Sequence, residues 1–122
     1  MIDAIARLNH AFYDAHEARN LDAMSVVWEH SDRASCIHPG WPILRGWPLV
    51  EESWRRIFAG EGRNQFILTN LSIEVHGDAA WVTLDENLVD AGRTGTVAAT
   101  NVFARSQGEW KLVVHHGSAV MS

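Results

Sequence analysis

The change of period at the middle of the chain constrains the fold most. Residues 65–77 (QFILTNLSIEVHG), 79–90 (AAWVTLDENLVD), 94–106 (TGTVAATNVFARS) and 110–120 (WKLVVHHGSAV) alternate apolar and polar side chains over long stretches. Such alternation marks strands with one face on a core and one toward water. Gly77-Asp78, the AGR turn at 91–93 and the QGE turn at 107–109 are short connections, so neighbouring strands pair antiparallel. A meander of this size has a broad apolar face, and something must cover it.

The first half supplies the cover. Ile5, Leu8, Phe12 and Ala15 recur at helical spacing, and Asn20 can cap a second helix whose Leu21, Met24, Val27 and Trp28 share a face. ASCI (34–37) reads as a short strand ending at His38-Pro39. Gly46-Trp47-Pro48 opens a third helix, with proline where a missing N–H costs little. Its stripe is Val50, Trp54, Ile57 and Phe58, and AGEG (59–62) ends it. The expected architecture is α+β, with three N-terminal helices on one face of a curved antiparallel sheet. The chain of 122 residues suits a single domain, 1–122, with no linker or repeat inside it.

Charge and composition narrow the function. The net charge of −5 and the lack of a Lys/Arg cluster argue against nucleic acid. Arg55 and Arg56 follow Glu51 and Glu52 by four residues, a helix-surface pairing. No apolar run is long enough to span a bilayer, and the acid-containing N-terminus is unlike a secretory signal, so no membrane is expected. A lone cysteine, Cys36, forms no internal disulfide and fits a reducing, cytoplasmic compartment. Six tryptophans against one tyrosine is a heavy aromatic load, suited to core packing or pocket walls.

Strand parity sorts the polar residues. Glu86 shares its row with Ala80, Val82, Leu84 and Leu88, which places it on the helix-facing side. In the last strand His116 falls with Trp110, Leu112 and Val114, so it is expected inward and His115 outward. His38 shares its side with Ala34 and Cys36, and Asn101 is assigned inward with Val97, Ala99 and Phe103. The result is a cluster of His38, Glu86, His116 and Asn101 among Trp28, Trp41, Trp54, Phe58 and Phe103. An apolar cavity with a few convergent polar groups describes a small-ligand site, with Trp41 of the Pro/Gly-rich loop at its lip. Burial would raise the carboxyl pKa and lower that of an imidazole, which suits both to proton transfer. His38, His116 and Glu86 are also the residue types of a metal-binding triad, but no ligand-spacing motif joins them, so no metal is expected. Cys36 has no evident activator, and no glycine-rich phosphate loop is present, so no cofactor is expected.

Three segments, RNLDAMSVVW, HPGWPILRGWPLVEESWRRIF and GEWKLVVHHGSAV, together resemble the SnoaL-like branch of the NTF2-like superfamily. The resemblance spans nearly the whole chain and implies a cone-shaped, cystatin-like domain with a sheet wrapped around a helix-lined pocket. Ketosteroid isomerase, a relative, uses an aspartate followed by proline as general base, and that position falls on His38-Pro39. Its oxyanion tyrosine falls near Phe12, with Tyr13 one place off and expected to face elsewhere. Its second oxyanion donor falls at Thr100–Asn101, where no acid stands, so steroid isomerisation is not implied. Nor can the Asp–Arg–Asp set of an epoxide hydrolase be assembled from inward positions. Two functions remain open. One is cofactor-independent acid–base catalysis (isomerase, cyclase or dehydratase type) on a small apolar carbonyl compound, with His38 as base and Glu86, His116 or Asn101 as oxyanion donors. The other is a non-catalytic ligand-binding or assembly module, in which His38 anchors its turn. The superfamily resemblance also implies a homodimer, for which Trp81, Thr83 and Asp85 on the outer sheet face are the candidate contact.

Overall fold

The computed structural model describes residues 1–60, 65–90 and 93–121. The AGR turn and the end of AGEG lie in part outside these residues. Helix α1 (Ile2–Ala18) ends at Arg19 in the left-handed region (φ 54°), and the Arg19 and Asn20 N–H groups bond back to the carbonyls of His16 and Ala15. Asn20 then caps α2 (Leu21–Val27) as expected, its side chain accepting from the Ala23 N–H at 3.0 Å. After β1 (Ser35–Ile37) and the two-residue β2 (Leu44–Arg45) comes α3 (Trp47–Ala59), with Pro48 in its first turn. The strands β3 (Phe66–His76), β4 (Ala79–Asp90), β5 (Arg93–Ser106) and β6 (Glu109–Ala119) form the meander.

The sheet has six strands in the order β2-β1-β6-β5-β4-β3. It is mixed rather than purely antiparallel, because β1 runs parallel to β6 with Ser35, Cys36 and Ile37 opposite Val114, His115 and His116. Strand β2 and helix α3 stand between β1 and the meander in sequence, and β1 joins the meander's far edge, which brings His38 beside the end of β6. The helices cover one face of the sheet, and Phe12, Trp54, Met24, Val82 and Phe103 are all fully buried there. Among the described residues no helix is long and apolar enough to cross a membrane.

Parity fails in β6. The β5–β6 register shifts between Val102 and Phe103, which face Val114 and Leu112, so Val113 is an extra residue. A bulge of this kind inverts the alternation beyond it. Leu112 and Val113 are both buried, His115 is 3% exposed, and His116 is exposed on the outer face. The inward assignment of His116 is therefore corrected to His115.

Candidate functional site

The HPGW segment is a turn that folds back over its own histidine. Pro39 sits second and Gly40 third with φ 83°, while the Trp41 N–H donates to the His38 carbonyl at 2.8 Å. Those are the marks of a type II turn, which needs a positive φ at its third residue. The Trp41 ring thereby returns to the His38 ring, edge to face, with centroids 4.9 Å apart. Gly117 of β6 accommodates this turn, since a Cβ there would lie 3.0 Å from Val97 Cγ1 and 3.4 Å from Pro39 Cγ.

Behind the turn is a cavity of about 220 Å³, walled by His16, His38, Trp41, Phe66, Glu86 and His115. Pro39, Ile57, Leu88 and Val97 supply its aliphatic surface. His38 is 4% exposed and lies between Trp41 and Trp54, whose ring centroid is 4.7 Å away. Its Nε2 is 2.9 Å from Ser53 Oγ, and Ser53 spends its hydroxyl proton on the Val50 carbonyl at 2.6 Å. Ser53 can therefore only accept, which puts the His38 proton on Nε2 and leaves the Nδ1 lone pair free. Cys36 Sγ lies beside the same ring, 3.5 Å from Nε2 and 3.9 Å from Nδ1, both weak contacts.

A second polar chain starts at Glu86. The Tyr13 hydroxyl donates to Glu86 Oε2 at 2.5 Å, and the Asn101 amide donates to Asn9 Oδ1 at 2.9 Å and to the Tyr13 oxygen at 3.3 Å. Asn101 Oδ1 then accepts from His115 Nδ1 at 2.6 Å, so His115 carries its proton on Nδ1 and its lone pair on Nε2. The sheet register places Asn101 directly opposite His115.

Burial sets the protonation states. Desolvation pushes the Glu86 carboxyl up to about 7, with the Tyr13 hydrogen bond pulling the other way. Desolvation lowers His38 to about 4, helped by His16, and lowers His16 itself to about 4. His115 is held well below the usual imidazole range by burial and by the neighbouring histidines. Burial and the Glu86 charge keep Tyr13 in its neutral form, and burial raises the Cys36 thiol, so neither ionises readily. At neutral pH the wall thus carries neutral imidazoles beside a carboxyl near its midpoint.

The sequence-derived candidates are distributed unevenly. His38, Glu86 and Trp41 share the cavity wall; Trp54 packs behind His38, and Phe58 packs on Trp54 and His16. Asn101 stands behind the wall, joining Tyr13 to His115. Trp28 is buried against Trp47, and Phe103 is fully buried core. His116 lies on the opposite sheet face from His38 and Glu86, so the metal triad of residue types does not converge. Among the described residues no group of three or more His, Cys, Asp or Glu could hold a metal ion.

Sequence reasoning missed Asn9, Tyr13, His16, Ser53 and His115. Tyr13 was expected to face elsewhere, but α1 packs against both α3 and the sheet. Phe12 turns to Trp54 and His115, while Tyr13 turns to Phe66 and Glu86. The 9, 13, 16 spacing along α1 is itself helical, and it was the available signal.

Known proteins are similar to this chain over nearly its whole length. A candidate dehydratase of the NTF2-like family from Streptomyces avermitilis is 34% identical, with a TM-score of 0.91 and coverage of 99% of this chain and 97% of that one. A candidate calcium/calmodulin-dependent protein kinase type II association domain from Thiobacillus denitrificans is also 34% identical, with a TM-score of 0.86 and 93% of each chain covered. The F-box protein SKIP8 of Arabidopsis thaliana is 33% identical over 118 residues, 97% of this chain but only 50% of that protein, so the chain spans half the length of this relative. Residues 5–122 match the SnoaL-like domain, and the chain belongs to that family within the NTF2-like superfamily.

Proposed function

We propose that the domain is a cofactor-independent acid–base catalyst that acts on a small carbonyl compound, with His38 as base and Glu86 as acid. The observation that carries this is the pairing of two environments on one cavity wall. His38 stays unprotonated with its Nδ1 lone pair free, while Glu86 keeps its proton up to about neutrality. Groups whose environments push their pKa values apart are suited to acid and base roles. For a β-hydroxy ketone, His38 Nδ1 would take the proton on the carbon next to the carbonyl. That C–H pair becomes the new C=C bond, and the C–O bond breaks as Glu86 protonates the departing hydroxyl to give water. Proton exchange with solvent restores both groups. Isomerisation and aldol-type cyclisation use the same two transfers. The Streptomyces relative's description as a candidate dehydratase favours dehydration among the three. In this scheme His115 takes the place first given to His116, and Asn101 positions Tyr13 and His115.

The test is turnover of a β-hydroxy ketone panel beginning with 4-hydroxybutan-2-one. It is read as enone absorbance and as deuterium uptake at the carbon next to the carbonyl. Wild-type protein should exceed buffer, and His38→Gln and Glu86→Gln should each lose at least about 100-fold. Binding without turnover across the panel would reject catalysis and leave the second reading.

That second reading is a binding or assembly module. The outer face carries Trp81, 37% exposed, in one row with Thr83 and Asp85, a surface suited to a homodimer. Relatives described as an association domain and as an F-box protein are consistent with it. The single buried cysteine agrees with a cytoplasmic setting under either reading.

A further inference from the structure

The polar groups of the cavity are unequal in kind, and this restricts what can bind. His38 spends its one N–H on Ser53, and His115 spends its one N–H on Asn101. The Tyr13 hydroxyl is spent on Glu86, and the Asn101 amide on Asn9 and Tyr13. What these groups leave unused is His38 Nδ1 and His115 Nε2, which accept hydrogen bonds, and Glu86 Oε1, which accepts when the carboxyl is ionised and donates when it is protonated. His16 adds one donor and one acceptor, and its buried Nδ1 has no partner among the described residues. Among the described residues no lysine or arginine lines the cavity. The adjacent cations act on wall residues from elsewhere: Arg56 lies over the Trp41 ring at 5.8 Å, and Arg19 donates to the Ile57 carbonyl at 3.4 Å.

Size gives the second restriction. A dry apolar cavity of about 150 Å³ holds benzene. The cavity here, about 220 Å³, has room for one ring with a short substituent, and its walls are largely ring faces and edges. Four-ring molecules of steroid size exceed it.

We infer that the cavity selects a neutral molecule of about single-ring size that offers a hydroxyl or N–H donor to His38 Nδ1 and His115 Nε2, and that it rejects carboxylates. At pH 7.5, above the Glu86 midpoint, a carboxylate would bring further acceptors and a second negative charge to this wall, and would lose its hydration with no cation among the described residues to replace it. The inference rests on the ligand-pocket reading of this site but not on turnover.

Four ring compounds of similar size test it by calorimetry and by shifts of the histidine ring signals at pH 7.5. Phenol supplies a neutral donor, anisole the same oxygen without the proton, toluene neither, and benzoate the charge. Phenol should bind about tenfold more tightly than anisole or toluene, the scale of one good hydrogen bond, and benzoate should be weakest. Anisole or toluene binding as well as phenol would overturn the donor rule while leaving the pocket in place. Benzoate binding more tightly than phenol would overturn the rejection of carboxylates. Failure of all four to bind would overturn the pocket reading, and this inference with it.

Discussion

Replacing Tyr13 with Phe removes one oxygen from the buried polar chain and leaves the ring in place. That oxygen donates to Glu86 Oε2 at 2.5 Å and accepts from Asn101 at 3.3 Å, and it holds the Glu86 pKa down against desolvation. The cost depends on the state of Glu86. When the carboxyl is neutral, the lost bond is worth about 1 kcal/mol; when it is ionised, about 2–3 kcal/mol. The difference, about 1–2 kcal/mol, equals roughly one pH unit of midpoint. Glu86 should therefore titrate about one unit above its wild-type value, which lies near 7. The sign follows from linkage. A carboxyl raised by folding contributes stability below its unfolded pKa, and that contribution is lost as pH rises through the folded value. In Tyr13→Phe the loss runs about one unit further, so the variant's deficit is larger at pH 8.5 than at pH 5. Carbon-13 NMR of the glutamate carboxyls and urea unfolding at both pH values measure these quantities. A Glu86 midpoint that stays put or falls, or a deficit larger at pH 5, would refute the reasoning.

Three further outcomes are expected. Ser53→Ala removes the acceptor that fixes the His38 proton on Nε2; stability should fall by about 1–3 kcal/mol, and nitrogen-15 shifts should show mixed His38 tautomers rather than one. Gly117→Ala drives a methyl to 3.0 Å from Val97 Cγ1 and against Pro39; urea unfolding should show a loss of about 1–3 kcal/mol, and an unchanged midpoint would mean that the turn yields freely. On acidification, His16 and His38 must be charged at about 4 in the fold against 6.5 when free. Stability is then full above pH 6.5 and lost as pH falls toward 4, by about 3 kcal/mol for each. Glu86 works in the opposite direction over much of this range and offsets about one of the two, while His115 adds to the loss. Equal urea midpoints at pH 7 and pH 4.5 would contradict this balance.

The meander, the helices and the inward row of β4 were legible because each rests on a local period. Glu86 stands out as the one acid in the apolar row Ala80, Val82, Leu84 and Leu88. His38 was legible through its short strand and the proline after it. The parallel pairing of β1 with β6 was not, because nothing local in three residues declares a partner fifty or more positions away. His115 and His116 were exchanged for a similar reason. The extra residue is in β6 at Val113, but its pairing with Val102 and Phe103 of β5 produces the bulge, and alternation read along one strand cannot register it. Tyr13 was misplaced because a helix covered on two sides has a buried face too wide for a single stripe.

The most direct measurement is a long-range proton–nitrogen-15 titration of the histidine rings, with His38 assigned through His38→Ala, in the presence and absence of 4-hydroxyacetophenone at pH 6. His38 should be neutral with its proton on Nε2, titrate near 4, and move its Nδ1 signal when the ligand is added. A His38 with an ordinary midpoint near 6.5, protonated on Nδ1 and indifferent to the ligand, would contradict both the tautomer assigned by Ser53 and the place of His38 in a ligand site.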